Sequence, residues 1–142
     1  MTIVPDCAFL ANALVESQRT IPAVRALEEL IDGPDILIAP YLLQIEYAST
    51  LRRLVSRGII SPRARRVPWG EFLDIEIDYR WDIRWVERAS EMAEQAGLSK
   101  VYDCLYLACA EANRAELVTC DARFFRAVGA LYPGMVRLVA TA

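Results

Sequence analysis

The sequence places four consecutive apolar residues, Ile36-Leu37-Ile38-Ala39, directly after the turn signal Asp32-Gly33-Pro34-Asp35. A strand that is apolar at every position is typical of a parallel sheet with helices on both faces. Residues 21–31, before the turn, repeat apolar side chains with the period of a helix, and Pro40 suits the first turn of a helix through residue 54. This order predicts an α/β protein.

The rest of the chain continues the alternation. Strands are predicted at residues 2–4, 117–120 and 136–139, with an edge strand near 75–79, and helices at 9–15, 84–95, 101–113 and 123–128. A helix near Ser61 should be kinked or ended by Pro68 and Gly70. The pattern predicts a three-layer α/β/α sandwich with a mostly parallel central sheet, in one domain over residues 1–142.

Composition narrows the function classes. The chain contains no histidine, which excludes Ser-His-Asp and Cys-His catalysis and any zinc site with imidazole ligands. No apolar run approaches the ~18–20 residues of a membrane span, and no basic segment at the N-terminus indicates a secretory signal. The four cysteines form no C-x-x-C pair, so we expect reduced thiols in a cytoplasmic protein with no membrane contact.

Four of the nineteen acidic residues stand alone among apolar neighbours in the sequence: Asp6, Glu46, Asp103 and Asp121. Asp6 and Asp121 directly follow predicted strands, at the carboxyl ends where open α/β sheets bind ligands. Glu46 and Asp103 lie near the starts of helices that begin at the same edge. One such acid is as often a helix N-cap, so the argument depends on all four together.

An ionised carboxylate in apolar surroundings costs several kcal/mol unless it is paired or binds a metal ion. No neighbouring Lys or Arg in the sequence neutralises these four acids. A ligand set of carboxylate oxygens without imidazole favours a hard cation, Mg²⁺ or Mn²⁺. The sequence therefore predicts one divalent-metal pocket at the edge of the sheet.

Basic residues are distributed unevenly, with fifteen Arg, one Lys and six of the arginines within residues 52–66. An acidic run follows them, and the net charge is −3. Two solvated faces that partly neutralise each other explain this pattern, as does a local patch that contacts phosphates. The sequence leaves both interpretations open.

Four segments carry a family resemblance: IVPDCAFL (residues 3–10), EYASTLRR (46–53), YDCLYLA (102–108) and LVTCDARF (117–124). In these segments, and in length and element order, the chain resembles PIN-domain ribonucleases, and most of all the VapC toxins of bacterial toxin–antitoxin pairs. The resemblance covers essentially the whole chain.

The resemblance implies that Asp6, Glu46, Asp103 and Asp121 are the catalytic metal ligands and that the Thr119 hydroxyl supports them. It also implies Mg²⁺- or Mn²⁺-dependent cleavage of RNA, inhibition of translation, a homodimer and a cognate antitoxin. Arg52 and Arg53 lie about 9–10 Å beyond Glu46 along the predicted helix, so we expect them to hold the RNA backbone. Ala8 departs from the family, which commonly has Ser or Thr at that position.

Two alternatives remain. In the first, Ala8 removes a hydrogen bond near the metal, and the protein is a catalytically weak PIN-like module that binds metal and RNA. A Mg²⁺-dependent signalling or phosphatase-type α/β domain would use Asp6 or Asp121 as phosphoacceptor. Such a domain would normally have paired acids after the first strand and a lysine after a late one, whereas Asp6 is alone and Lys100 precedes a helix.

Overall fold

The computed structural model describes residues 1–141, so that Ala142, the last residue of the predicted domain, lies outside the described residues. The strands are β1 (Thr2–Pro5), β2 (Ile36–Pro40), β3 (Asp78–Arg80), β4 (Glu116–Thr119) and β5 (Val136–Leu138). The α-helices are α1 (Cys7–Leu14), α2 (Ile21–Asp32), α3 (Leu42–Ser56), α4 (Arg66–Asp74), α5 (Arg84–Gln95), α6 (Tyr102–Ala112) and α7 (Ala122–Val128). Within residues 1–141, no helix has both the length and the apolar character that crossing a membrane requires.

The five strands form one sheet in the order β3-β2-β1-β4-β5, and every pair in it is parallel. Right-handed crossovers place α1 to α4 on one face and α5 to α7 on the other. The contacts of α1 with α2, α3 and α4, and of α5 with α6, agree with that arrangement. The predicted three-layer sandwich is confirmed, and its edge strand lies at Asp78–Arg80 rather than near residues 75–79.

The central strands are buried on both faces. Val4 in β1, Ile38 in β2 and Leu117 in β4 are each 0% exposed. β1 pairs with β2 on one side and with β4 on the other, and the direction in which the chain adds strands reverses between β1 and β4. In open α/β sheets a ligand site lies outside the carboxyl ends of the strands at such a reversal.

Two proline predictions were wrong. Pro40 ends β2, opposite Arg80 of the edge strand, instead of starting a helix. Pro40 is the last residue of β2, and the pairing of β2 with β1 involves Ile36 and Leu37, so the missing N–H lies beyond that ladder. Pro68 is the third residue of α4, where the N–H of any residue would lack a partner within the helix, so α4 continues unbroken through Gly70. The Ser61 side chain caps a turn that precedes this helix.

An aromatic cluster joins α3 to α4. The rings of Tyr47 and Phe72 stack with their centroids 4.3 Å apart, and Trp69 stacks on Tyr47 at 6.2 Å. The Tyr47 hydroxyl donates to the Pro68 carbonyl at 2.8 Å inside the protein. Because Tyr47 follows Glu46 in the sequence, this cluster fixes the part of α3 that carries one of the predicted site residues.

Tyr47→Phe should lower the free energy of unfolding by about 1 kcal/mol, because it removes the buried hydrogen bond to the Pro68 carbonyl while the ring stacking remains. Urea unfolding followed by circular dichroism measures the change. Tyr41→Phe is the matched control, since Tyr41 is exposed and stacks on Tyr79. Its effect should stay within about 0.5 kcal/mol. Equal stability of the wild type and Tyr47→Phe would contradict the role assigned to this hydrogen bond.

Candidate metal site at the carboxyl edge of the sheet

Asp6 and Asp121 follow the neighbouring strands β1 and β4 at the reversal of strand order. Each is also the N-cap of the next helix. Asp6 Oδ1 accepts from the Phe9 N–H at 2.8 Å, and Asp121 Oδ1 accepts from the Phe124 N–H at 3.0 Å. The capping role of such acids and a role in binding are therefore compatible, because each cap uses one of the two carboxylate oxygens.

Thr119 connects these two acids. It is 0% exposed, and its hydroxyl accepts the Asp121 N–H at 3.0 Å and lies close enough to the Asp6 carboxylate to act against the rise in its pKa. The Asp6 N–H in turn donates to the Val118 carbonyl at 3.1 Å. These bonds fix Asp6 against the end of β4.

Glu46 and Asp103 come from α3 and α6. The Tyr106 hydroxyl donates to Glu46 Oε1 at 2.6 Å, and Tyr106 is itself only 1% exposed. Tyr106 is a site residue that was not predicted from the sequence. Its spacing from Asp103 was the available signal, because residues three apart share one face of a helix.

The four acids line two pockets that share Asp103. A pocket of about 260 Å³ is lined by Asp6, Glu46 and Asp103, and also by Arg53. A second pocket, of about 370 Å³, is lined by Asp103 and Asp121. Asp103 belongs to both pockets and links them.

The burial of the four acids differs from the expectation of uniformly apolar surroundings. Asp6 is buried, with 5% of its surface exposed, whereas Glu46 and Asp121 are half-buried and Asp103 is exposed. Asp103 has apolar sequence neighbours because residues 104–110 all turn into the core. Its own side chain lies in the first turn of α6, where the edge of the sheet opens to solvent.

Among residues 1–141, no ion pair neutralises the negative charge at the site. Burial raises the pKa of Asp6 to about 7, against the hydrogen bonds that lower it, and the charges of Asp103 and Asp121 raise it further. Desolvation also raises the pKa of Glu46 and of Asp103, and solvent screens this effect at the exposed Asp103.

Two cations lie near the acids, contrary to the expectation from the sequence. Arg53 lowers the pKa of Glu46, and Lys100 lowers that of Asp103. Neither of them is among the residues that form ion pairs in the described chain, nor are the four acids. Both cations therefore act at longer range than a salt bridge.

The donor chemistry fits a hard divalent cation. No group of three or more His, Cys, Asp and Glu side chains within residues 1–141 is arranged to hold one metal ion. Mg²⁺, however, usually keeps several waters and takes only one or two carboxylates from the protein. Asp6 with Asp103, and Asp103 with Asp121, supply carboxylate oxygens of that kind, and the raised pKa of Asp6 reflects negative charge that a cation would offset.

Asp6→Asn should stabilise the metal-free protein at pH 8 by about 1–4 kcal/mol, with a smaller gain at pH 5. The pKa of Asp6 is raised from 3.8 to about 7 in the folded state. Its contribution to stability is therefore complete below pH 4 and is lost as the pH rises through 7. Asparagine keeps the cap on Phe9 and carries no charge.

Thermal unfolding in EDTA at a series of pH values measures this difference. Glu76→Gln serves as the control, because Glu76 is exposed in the segment between α4 and β3. A stability difference between Asp6→Asn and the wild type that does not vary with pH would contradict the assignment.

Comparisons with known proteins agree with the fold and with the four sequence segments. The PIN domain matches residues 3–130. The chain is similar to Ribonuclease VapC12 of Mycobacterium tuberculosis, in strains CDC 1551 / Oshkosh and ATCC 25618 / H37Rv. This chain and Ribonuclease VapC12 are 30% identical over 120 residues, which are 84% of this chain and 89% of that protein.

Solved structures show the same fold at lower sequence identity. VapBC2 from Rickettsia felis, bound to a DNA fragment from their promoter, aligns with a TM-score of 0.70 at 17% identity, over 98% of this chain and 99% of that one. PAE2754 from Pyrobaculum aerophilum aligns with a TM-score of 0.64 at 17% identity, over 89% of this chain and 84% of that one. FitAcB from Neisseria gonorrhoeae gives 0.59 at 16% identity, over 98% and 97%. The chain belongs to the PIN-domain family and is a homologue of the VapC ribonucleases.

Proposed function

We propose that this protein is a Mg²⁺- or Mn²⁺-dependent endoribonuclease, and the toxin of a VapBC-type toxin–antitoxin pair that inhibits translation in the cytoplasm. The observation that carries the proposal is the pocket where Asp6, Glu46 and Asp103 meet without an ion pair. The similarity to Ribonuclease VapC12 supports the reaction class.

Each acid has a distinct part in this mechanism. Asp6, Asp103 and Asp121 hold the cation, directly or through water, and Thr119 keeps Asp6 and Asp121 in a fixed relation. A bound divalent cation lowers the pKa of water and neutralises charge on the phosphate.

Glu46 either joins the cation ligands or orients the attacking water. The Tyr106 hydroxyl donates to its Oε1, so Oε2 is the oxygen that would bind the cation or the attacking water. Since the chain has no histidine, a carboxylate is the residue type that can accept the proton of the water near neutral pH.

Thr119 distinguishes between an active enzyme and a catalytically weak module. Ala8 lines the 260 Å³ pocket and offers no hydroxyl to the acids. The Thr119 hydroxyl nevertheless lies close enough to Asp6 to act against the rise in its pKa, so this carboxylate has a polar side chain beside it. This contact favours the active enzyme over the weak module.

An antitoxin and a second copy of the chain are the proposed protein partners. The neighbours in fold include VapBC2 from Rickettsia felis and a toxin–antitoxin complex from Klebsiella pneumoniae, which support an antitoxin partner. The RNA substrate is the remaining partner, and the position of Arg53 on the lining of the acids' pocket supports the prediction that Arg53 contacts it. Arg52 is exposed and does not line this pocket, so its contact with RNA stays a prediction.

The wild type should cleave single-stranded RNA in Mg²⁺ or Mn²⁺ and be inactive in EDTA. Asp6→Asn and Asp103→Asn should each reduce the rate about 100-fold or more, because the amide keeps the shape but loses the charge that binds the cation. Glu76→Gln should retain the wild-type rate.

Cation binding is measured separately from activity. Mn²⁺ at pH 8 should raise the unfolding temperature of the wild type more than that of Asp6→Asn, since only the wild type has the full set of charges. Undiminished cleavage by both amide variants, together with equal stabilisation by Mn²⁺, would contradict the proposed function.

Arg53→Gln should weaken RNA binding about fivefold at about 0.1 M salt and lower the slope of log K against log salt by about 0.7, as expected for one lost phosphate contact on a single strand. Fluorescence anisotropy in the Asp6→Asn background measures both quantities. Arg52→Gln is measured beside it and should have a smaller effect, because Arg52 does not line the pocket. Unchanged affinity and slope in Arg53→Gln would assign this arginine to the solvated surface.

A further inference from the structure

The second pocket at the acidic site carries two cations that the proposed mechanism does not use. It has a volume of about 370 Å³, and Lys100 and Arg123 line it together with Asp103 and Asp121. Lys100 is the single lysine of the chain. The two cations come from different parts of the fold, the α5–α6 connection and the first turn of α7.

Local structure fixes both positions. Gly97 adopts φ 69°, and the Leu98 N–H donates to the Ala93 carbonyl at 2.8 Å, which ends α5 and sets the direction of the segment leading to Lys100. Arg123 is two residues after Asp121, whose side chain caps α7. The cap therefore holds the backbone of Arg123 in a fixed relation to an acid of the site.

Three arginines of β3 and α5 have acidic partners, whereas Lys100 and Arg123 have none among the described residues. Arg80, Arg84 and Arg88 form ion pairs of 2.8, 2.6 and 2.8 Å with Asp78, Asp82 and Glu111. Lys100 and Arg123 are exposed, and the described residues offer neither of them an ion pair. Their positive charge is available to a ligand in the pocket.

Positive charge thus flanks the acids on two sides. Arg53 lines the pocket of Asp6 and Glu46, Lys100 and Arg123 line the pocket of Asp121, and Asp103 belongs to both. A nucleic acid that presents one phosphate to the acids and their cation must place its neighbouring phosphates on either side. Lys100 and Arg123, on the lining of the pocket that also contains Asp103 and Asp121, supply the positive charge that one of those neighbouring phosphates needs.

We propose that Lys100 and Arg123 bind a backbone phosphate of the RNA adjacent to the one that is cleaved. This inference rests on the proposed nuclease function and extends it to a second set of substrate contacts. The two residues are positioning residues, since they hold the strand in register and do not touch the reacting phosphate.

The test uses Lys100→Gln, Arg123→Gln and the double variant in the Asp6→Asn background. The probe is a short fluorescein-labelled single-stranded RNA of mixed sequence, titrated in EDTA over a salt series so that binding is measured without metal and without cleavage. Arg126→Gln is the matched control, because Arg126 is an exposed arginine of the same helix that does not line the pocket.

Each single variant should lose about fivefold in affinity at about 0.1 M salt and about 0.7 in slope, and the double variant about 25-fold and 1.4. Arg126→Gln should match its parent. Unchanged affinity and slope in the double variant would overturn the proposal and leave these cations only the role of offsetting Asp103 and Asp121. Losses of the same size in Arg126→Gln, or a parent that binds no RNA at the lowest salt, would overturn it too.

Cleavage by the wild type separates this proposal from the one on which it rests. If the wild type cleaves RNA while the double variant keeps the slope of its parent, the phosphate pocket is wrong and the nuclease function stands. If the wild type cleaves no RNA while the slope falls as expected, the nuclease function is wrong and the phosphate contacts stand.

Discussion

The buried carboxylate of Asp6 is the constraint on which the site depends. The reversal of strand order between β1 and β4 places it beside Thr119 and Asp121, and the hydrogen bonds from the Phe9 N–H to its carboxylate and from its own N–H to the Val118 carbonyl hold it there. These bonds do not offset the cost of burial, because the pKa of Asp6 is still raised to about 7. A folded protein that keeps a destabilising charge at the binding edge of its sheet is consistent with selection for a ligand that relieves it.

The sequence predicted the fold where local signals and packing agree. The apolar run at residues 36–39 predicted β2, and the strands before Asp6 and Asp121 predicted that these acids lie at the edge of the sheet. Both predictions depend only on backbone geometry and burial, and the structure has the strand and the acids at those positions. Pro40 and Pro68 were misjudged, because the effect of a proline depends on whether its N–H would have had a partner.

The site was predicted less completely than the fold, because contacts between distant segments leave no mark on local sequence. Asp103 has apolar neighbours but is itself exposed, since α6 is enclosed on all sides from residue 104 to residue 110 while Asp103 lies in its first turn at the open edge of the sheet. The bond from Tyr106 to Glu46 joins residues sixty positions apart. Lys100 and Arg123 lie twenty-three positions apart in the sequence, and only the fold brings them to one pocket.

The site has acids at its centre, with Arg53 on the lining of one pocket and Lys100 and Arg123 on the lining of the other. A divalent cation would offset the charge of the acids, and a phosphate backbone would offset the charge of the basic residues. The central claim is that the acids at the edge of the sheet bind a divalent cation. Anomalous diffraction from a crystal soaked in Mn²⁺ tests it most directly. The account predicts a manganese peak within bonding distance of carboxylate oxygens of Asp103 and of Asp6 or Asp121. A map in which manganese is absent from these three carboxylates would contradict it.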